Sequence, residues 1–385
     1  MDSLTPIFVS DPVLNKDGIT AYTSYTLQGT RVPEPLIRRY RDFDCLRSKL
    51  MERWPGIFIP NIPHKKTVGA LEKEVVDMRM EMINRFLNKV SNIGYLFNSE
   101  EMDLFLQSTN DVAKHFDTLP KQSYEDLLKK YCMTFTDFDD NYDVLEGKGN
   151  QAKFMQTLKT SIQKIRHFRD VIGKAKKSYQ ATHESHLLLI SMISLFEKEA
   201  LKDYCQDNED RLIFFNTKNV QLCKTISEVQ ENIANPYDKL FDAIAGDYLD
   251  TEALMEGIES INNLQEQYDG LLKKQNNAAT TITELQAGKT NVSSIFSFKS
   301  REQQIDAMME EKQKLDTDIQ NLGQIIRICC FNMDQEIKEF KTVNLESYYN
   351  ELTKLEATLS ENNKILNGLW NAIISNDNIK AVNLD

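Results

Sequence analysis

The 385 residues carry 46 Lys and Arg against 58 Asp and Glu, a formal net charge of −12. That length exceeds one ordinary core and points to two or three domains, while the acidic balance argues against general nucleic-acid binding, which goes with a basic domain. The longest apolar patch, 186–196, is interrupted by serines and falls short of the roughly 20 residues of a spanning helix, so any membrane contact is expected to be peripheral. In chain order, Ile7-Phe8-Val9 begins a strand and Asp17-Gly18 suits a tight hairpin. Thr20–Leu27, with Tyr22, Tyr25 and several threonines, fits a pleated surface. A third strand approaches Arg38, held to an edge or shortened by Pro33 and Pro35. From Asp42 to Arg53 the residues Phe43, Leu46 and Leu50 recur at helical spacing. A proline loop follows, then a helix from about Gly69 to Ser91 with a buried stripe of Val75, Met78, Met82, Phe86, Leu87 and Val90. A short helix from Ser99 to Gln107 ends this part.

Residues 108–150 read as a connector: Tyr124–Phe135 has a helical pattern, whereas the acidic Asp137–Gly149 with its two glycines argues for a break. Beyond it the helical period dominates. Ile319, Leu322, Ile326, Cys329, Met333, Ile337 and Phe340 follow one another by three or four residues, and after a slip the pattern resumes at Leu345, Tyr348, Leu352, Leu355 and Leu359. Such a seam suits a coiled-coil-like bundle. Three long helices are expected, at about 151–200, 212–286 with a kink or break near Pro236, and 300–375. Eight of the nine prolines lie at or before Pro120, as expected when a mixed domain precedes a helical one.

Charge is uneven as well. Residues 31–90 hold 13 Lys and Arg against 8 Asp and Glu, net +5, leaving −17 for the rest of the chain. Two segments in this basic island carry chemistry. Ile37-Arg38-Arg39-Tyr40-Arg41-Asp42-Phe43 places three arginines and an aromatic at a helix entry, and Ile59-Pro60-Asn61-Ile62-Pro63-His64-Lys65 is a stiff loop ending in lysine. Arginine presents a planar fork suited to phosphate, a tyrosine face lies against a ring, and proline lowers the entropy cost of ordering Lys65 and Lys66. Together they suit a phosphorylated, sugar-like headgroup. Either segment alone reads equally as a solvated helix start or a mere connection.

The two segments resemble the signatures of the phox-homology (PX) domain, an R-R-[YF]-x-[DE]-F block and a Ψ-P-x-x-P-x-K loop. The resemblance implies that Arg39 takes the 3-phosphate of phosphatidylinositol 3-phosphate, that Tyr40 packs under the inositol ring and that Lys65 takes the 1-phosphate. It also implies that Arg79, in Asp77-Met78-Arg79-Met80, holds inositol hydroxyls. Long kinked helices after such a module resemble the BAR domain of the PX-BAR sorting nexins, to which Asn235-Pro236-Tyr237-Asp238-Lys239-Leu240 and Lys338-Glu339-Phe340 are also similar. The expected architecture is an α+β PX domain (1–110), a linker with a short amphipathic helix (111–150), and an all-α elongated three-helix BAR bundle (151–385).

The resemblance implies a non-enzymatic protein, cytoplasmic and peripheral on endosomal membranes, that senses or stabilises curvature during cargo sorting. It also implies a homodimer, or a heterodimer with another sorting nexin, with cargo or coat proteins as further partners. A coiled-coil scaffold whose PX-like part binds protein is the rival. No glycine-rich phosphate loop or nucleophile elbow points to an enzyme. No cofactor is expected, and no metal: six cysteines without a C-x-x-C pair read as reduced, mostly core thiols, and His183 and His186 as ordinary helix residues. Neither a leader, a myristoylation site nor a prenylation motif is indicated.

Lys153, Lys159, Lys164, Arg166, Arg169, Lys174, Lys176 and Lys177 give 153–177 a net charge of +7. Lys164, Arg166, Arg169, Lys174, Lys176 and Lys177 are the candidates for an anionic membrane surface, against the alternative of a solvated face balanced by neighbouring acids. Ile295-Phe296-Ser297-Phe298-Lys299, between helices two and three, suits either shallow insertion into lipid or packing on the helix ends.

Overall fold

The computed structural model describes residues 7–17, 20–63, 73–107, 111–205, 212, 220–287 and 301–374. Contacts divide the chain into two compact units, Met1–Ile162 with Tyr248–Phe340, and Gln163–Asp247 with Lys341–Asp385. The first begins with a three-stranded antiparallel meander, β1 (Ile7–Asp17), β2 (Thr20–Gly29) and β3 (Val32–Arg39), in the order β1-β2-β3. Asp17 pairs with Thr20, so the first two strands are joined by two residues. The register of β1 shifts between Ser10 and Val13, where Asp11 takes a φ of 47°. Pro12 has no N–H for the ladder, and the bulge accommodates it.

β3 lies at an edge, as its prolines require. Leu36 to Arg39 pair with Leu27 to Ser24 and Val32 pairs with Gly29, while Pro33 and Pro35 sit exposed in the gap. α1 (Tyr40–Arg53) buries Phe43, Leu46 and Leu50 completely. α2 (Lys73–Asn92) buries Met82, Ile83, Phe86, Leu87 and Val90, whereas Val75 and Met78 remain partly exposed, so the stripe is tight only in the second half of that helix. Short helices α3 (Gly94–Phe97), α4 (Glu100–Phe105), α5 (Val112–Phe116) and α6 (Tyr124–Thr134) follow. Ser99 and Ser123 cap α4 and α6, accepting from the N–H groups of Met102 and Asp126 at 3.2 Å each.

α6 is packed rather than hanging between modules. Tyr131 is wholly buried, donates to the Pro55 carbonyl at 2.7 Å and stacks on Trp54. Lys130 lies 3.5 Å from the Trp54 ring centroid and donates to the Arg53 carbonyl. The core of this unit also takes in Leu254, Ile258 and Ile261 of α9 (Asp238–Gln286) and Leu322, Ile326 and Cys329 of α10 (Arg301–Ile374).

The expected break is present but shorter than Asp137–Gly149: residues 135–143 separate α6 from α7 (Val144–Phe196), which starts before the two glycines and runs through both. Asp143 accepts from the N–H groups of Leu145 and Glu146, satisfying donors at the helix start. Gly147 serves close packing: a Cβ there would lie 1.8 Å from the Tyr142 hydroxyl, which itself donates to Asp334 at 2.6 Å.

The second unit contains the rest of α7, a π turn Glu197–Leu201, a 3-10 turn Lys202–Cys205, α8 (Val220–Asn232) and parts of α9 and α10. Pro236 falls in the break between α8 and α9, as its missing N–H dictates. Asn235 bridges that break, donating to the Lys176 carbonyl and accepting from the Tyr237 N–H.

Two expectations need correction. The seam of α10 is buried from Leu315 to Ile337, but its continuation is not: Leu345 is 57% exposed and Tyr348 36%. Among the five cysteines whose side chains are described, the thiols are not mostly core, since Cys329 and Cys330 are buried while Cys132 and Cys223 are exposed and Cys45 is half-buried. Among the described residues no helix is long and apolar enough to cross a membrane, and no group of three or more His, Cys, Asp or Glu is placed to hold a metal ion.

Candidate functional site

The site grows from the junction of β3 and α1. Strand alternation sends neighbouring side chains to opposite faces, and here it separates Arg38 from Arg39. Arg38 is 2% exposed and donates to the carbonyls of Phe105 and Gln107 at 2.8 and 2.6 Å. It ties β3 to the end of α4 and is a structural residue.

Arg39 caps α1 in an extended conformation, with its backbone N–H donating to the Asp42 carboxylate at 2.8 Å. Its guanidinium lies over the ring of Tyr22 on β2, 3.8 Å from the centroid. Ser24, the cross-strand partner of Arg39, is two residues from Tyr22, so both share one face of β2. No acid pairs with the Arg39 side chain among the described residues. The stack fixes the arginine's direction and leaves its N–H groups available.

Tyr40, the first residue of α1, donates its hydroxyl to the Pro63 carbonyl at the end of the described proline loop. The guanidinium of Arg79, brought by α2 and 7% exposed, lies 5.1 Å from the Tyr40 ring centroid. Burial pushes the Tyr40 phenol up to about 12; Asp44 adds to the rise, and Arg79 and Arg47 oppose it. The phenol therefore stays a donor near neutral pH. Lys65, the fourth predicted residue, lies outside the described residues.

Three supporting residues escaped the sequence reading. Tyr22 was taken only as a strand former. Tyr25 is 1% exposed, its hydroxyl has no hydrogen-bond partner among the described residues, and burial raises its pKa against the opposing field of Arg79. Arg47 donates from Nε to the Pro60 carbonyl at 2.9 Å and pairs with Glu256. With Asn61, which donates to Glu252, it fastens the proline loop from behind. The junction of β3, α1 and α2 thus carries two arginine–tyrosine contacts, Arg39 over Tyr22 and Arg79 over Tyr40.

In the second unit, Lys164, Arg166, Lys174 and Lys177 are exposed on α7. Lys176 pairs with Asp238 at 2.8 Å and lies over Phe241, and Arg169 pairs with Asp170 at 3.0 Å. Neighbouring acids thus engage Lys176 and Arg169. The segment Ile295–Lys299 lies outside the described residues.

Known proteins resemble this chain in its N-terminal part and in its fold. Residues 32–109 match the PX domain family. Sorting nexin 1 of Arabidopsis thaliana is 35% identical over 119 residues, covering 29% of this chain and 30% of that protein. Sorting nexin-33 of Mus musculus is 23% identical over 171 residues, 42% of this chain and 30% of its own length. The vacuolar protein sorting-associated protein vps5 of Schizosaccharomyces pombe is 32% identical over 117 residues, 28% of this chain and 20% of that protein. The chain thus spans less than a third of the length of these relatives. Among solved structures, the cryo-EM structure of the SNX-BAR Mvp1 tetramer has the same fold, with a TM-score of 0.56 and 16% identity over 96% of this chain and 100% of that one.

Proposed function

From a chain that joins a PX domain to the fold of an SNX-BAR protein, with sorting nexins as its relatives in sequence, we propose that membrane-associated sorting proceeds through phosphatidylinositol 3-phosphate on endosomes. Arg39 takes the 3-phosphate, Tyr40 supports the inositol ring, Arg79 holds ring hydroxyls and Lys65 takes the 1-phosphate. The carrying observation is Arg39 itself, held at a strand–helix junction by Asp42 and Tyr22 with no acid on its guanidinium among the described residues. Water-facing donors in that arrangement gain most from a dianionic ligand.

The protein works as an oligomer, a homodimer or a heterodimer with another sorting nexin, and engages cargo or coat proteins at the cytosolic face of the membrane. The apolar side chains Leu188, Met192 and Phe196 of α7, with Leu345 and Tyr349 of α10, are exposed in the isolated chain. Apolar surface of this kind supports burial against a second subunit. Two tethered headgroup sites add avidity of roughly 10²- to 10⁴-fold where the geometry lets both engage, and the exposed cations of α7 add attraction to an anionic leaflet. A preference for curved membranes follows from this reading.

Pelleting of the full chain with vesicles containing or lacking phosphatidylinositol 3-phosphate tests the lipid reading. Enrichment on the phosphoinositide vesicles, greater on small than on large ones, is the expected result. Equal recovery on both compositions contradicts it and favours a scaffold whose PX domain binds protein.

A further inference from the structure

Away from the headgroup site, the first unit contains a cavity of about 210 Å³ whose lining includes Phe58, Tyr95, Phe135, Phe138, Phe331 and Glu336. A single water occupies roughly 30 Å³ of liquid, so the space admits an organic group. The rings brace one another edge to face. Tyr95 and Phe135 meet at 5.2 Å and 71°, and Phe138 and Phe331 at 5.6 Å and 90°. Phe138 already receives one cation, the Arg327 guanidinium, 5.9 Å from its centroid.

Two carboxylates line this aromatic setting, those of Asp137 and Glu336. Glu336 is half-buried, and its carboxylate has no hydrogen bond or ion pair among the described residues. Lys89 is the cation whose field reaches it, yet Lys89 is engaged with Asp250 at 2.5 Å. Glu339 beside it adds negative field, and burial pushes the Glu336 carboxyl up to about 7. Aromatic faces carry negative quadrupole charge and attract a cation in proportion to its desolvation. An alkylated ammonium, weakly hydrated and without N–H groups to satisfy, suits a wall that combines aromatic rings with the carboxylates of Glu336 and Asp137.

We infer that this open cavity is a binding site for a small quaternary ammonium group of the choline type, lined by Tyr95, Phe135, Phe138 and Phe331 and neutralised by Glu336. The site is separate from the phosphoinositide reading and stands whether or not that reading holds. The chemistry is shared by free choline and by a phosphocholine headgroup.

The test titrates the full chain with tetramethylammonium chloride, with choline and with glycerophosphocholine against sodium chloride at matched ionic strength, followed by saturation-transfer NMR. Saturable tetramethylammonium binding that sodium does not displace is expected, weakened about three- to thirtyfold by Glu336→Gln and by Phe138→Leu. Glycerophosphocholine binding as well as choline identifies a headgroup source, and choline alone a free one. The uncharged choline isostere 3,3-dimethylbutanol, which needs no variant, should bind at least about tenfold more weakly than choline. Absence of saturable binding, equal binding of the isostere, or wild-type affinity in both folded variants overturns the proposal.

Discussion

Arg47→Met tests whether the proline loop is held in place from behind. Arg47 is 9% exposed, and its Nε donates to the Pro60 carbonyl at 2.9 Å inside the first unit. Methionine keeps much of the volume and removes the donor, leaving a buried carbonyl unsatisfied. A hydrogen bond from a charged donor contributes about 1.5–3 kcal/mol. The pair with Glu256, whose side chain is 40% exposed, adds roughly 0–1 kcal/mol after solvent screening. A loss of about 2–3 kcal/mol lowers the melting temperature by roughly 4–12 °C in a unit of this size. The same change frees the segment whose Pro63 carbonyl receives the Tyr40 hydroxyl, and re-ordering it on binding costs about 0.5–1.5 kcal/mol, a two- to twelvefold loss of phosphoinositide affinity. Thermal melts and vesicle titrations of Arg47→Met beside Glu256→Gln, which spares the Pro60 bond, provide the measurement. A melting temperature within 1 °C of wild type together with unchanged affinity refutes the reasoning.

Three further outcomes follow from other parts of the molecule. Gly147→Ala should destabilise the chain by about 1–3 kcal/mol, because Tyr142 must leave its place beside Asp334; an unchanged denaturation midpoint counts against the close-packing role. Glu336 has its carboxyl pKa raised from 4.5 to about 7, so its folded state binds protons more readily than the unfolded chain. The corresponding stability is full below about pH 4.5 and is lost as pH rises through about 7; Glu336→Gln should flatten that decline in pH-dependent melts, and parallel curves for the two proteins contradict the assignment. Reversing exposed cations with Lys174→Glu and Lys177→Glu together should weaken binding to anionic vesicles about tenfold at low salt and less near 0.5 M salt; a salt-independent loss points to misfolding instead.

The helices were legible because their apolar spacing is long and regular, and Pro236 marked its break because a missing N–H has one consequence wherever it falls in a helix. Gly147 was misread because glycine both breaks helices and permits close approach, and only the position of Tyr142 distinguishes the two. Exposure at Leu345 and Tyr348 was invisible to periodicity, which reports that a stripe exists and not whether the same chain covers it. At the candidate site, Arg39 and Tyr40 stood out through a local motif. Arg38 shares that motif, and the alternation of β3, not its place in the motif, sends it inward to the carbonyls of Phe105 and Gln107. Tyr22, Tyr25 and Arg47 acquire their roles through contacts distant in sequence, and no spacing rule encodes those.

The central claim rests on one guanidinium, and one comparison tests it most directly. The full chain and Arg39→Ala are titrated with vesicles carrying phosphatidylinositol 3-phosphate, and with vesicles matched in charge by phosphatidylserine. Losing the charge-assisted contacts of Arg39 should weaken phosphoinositide binding by roughly ten- to a hundredfold. Binding to phosphatidylserine and the circular dichroism spectrum should stay at wild-type values. Equal phosphoinositide affinity in the folded variant and the wild type contradicts the account.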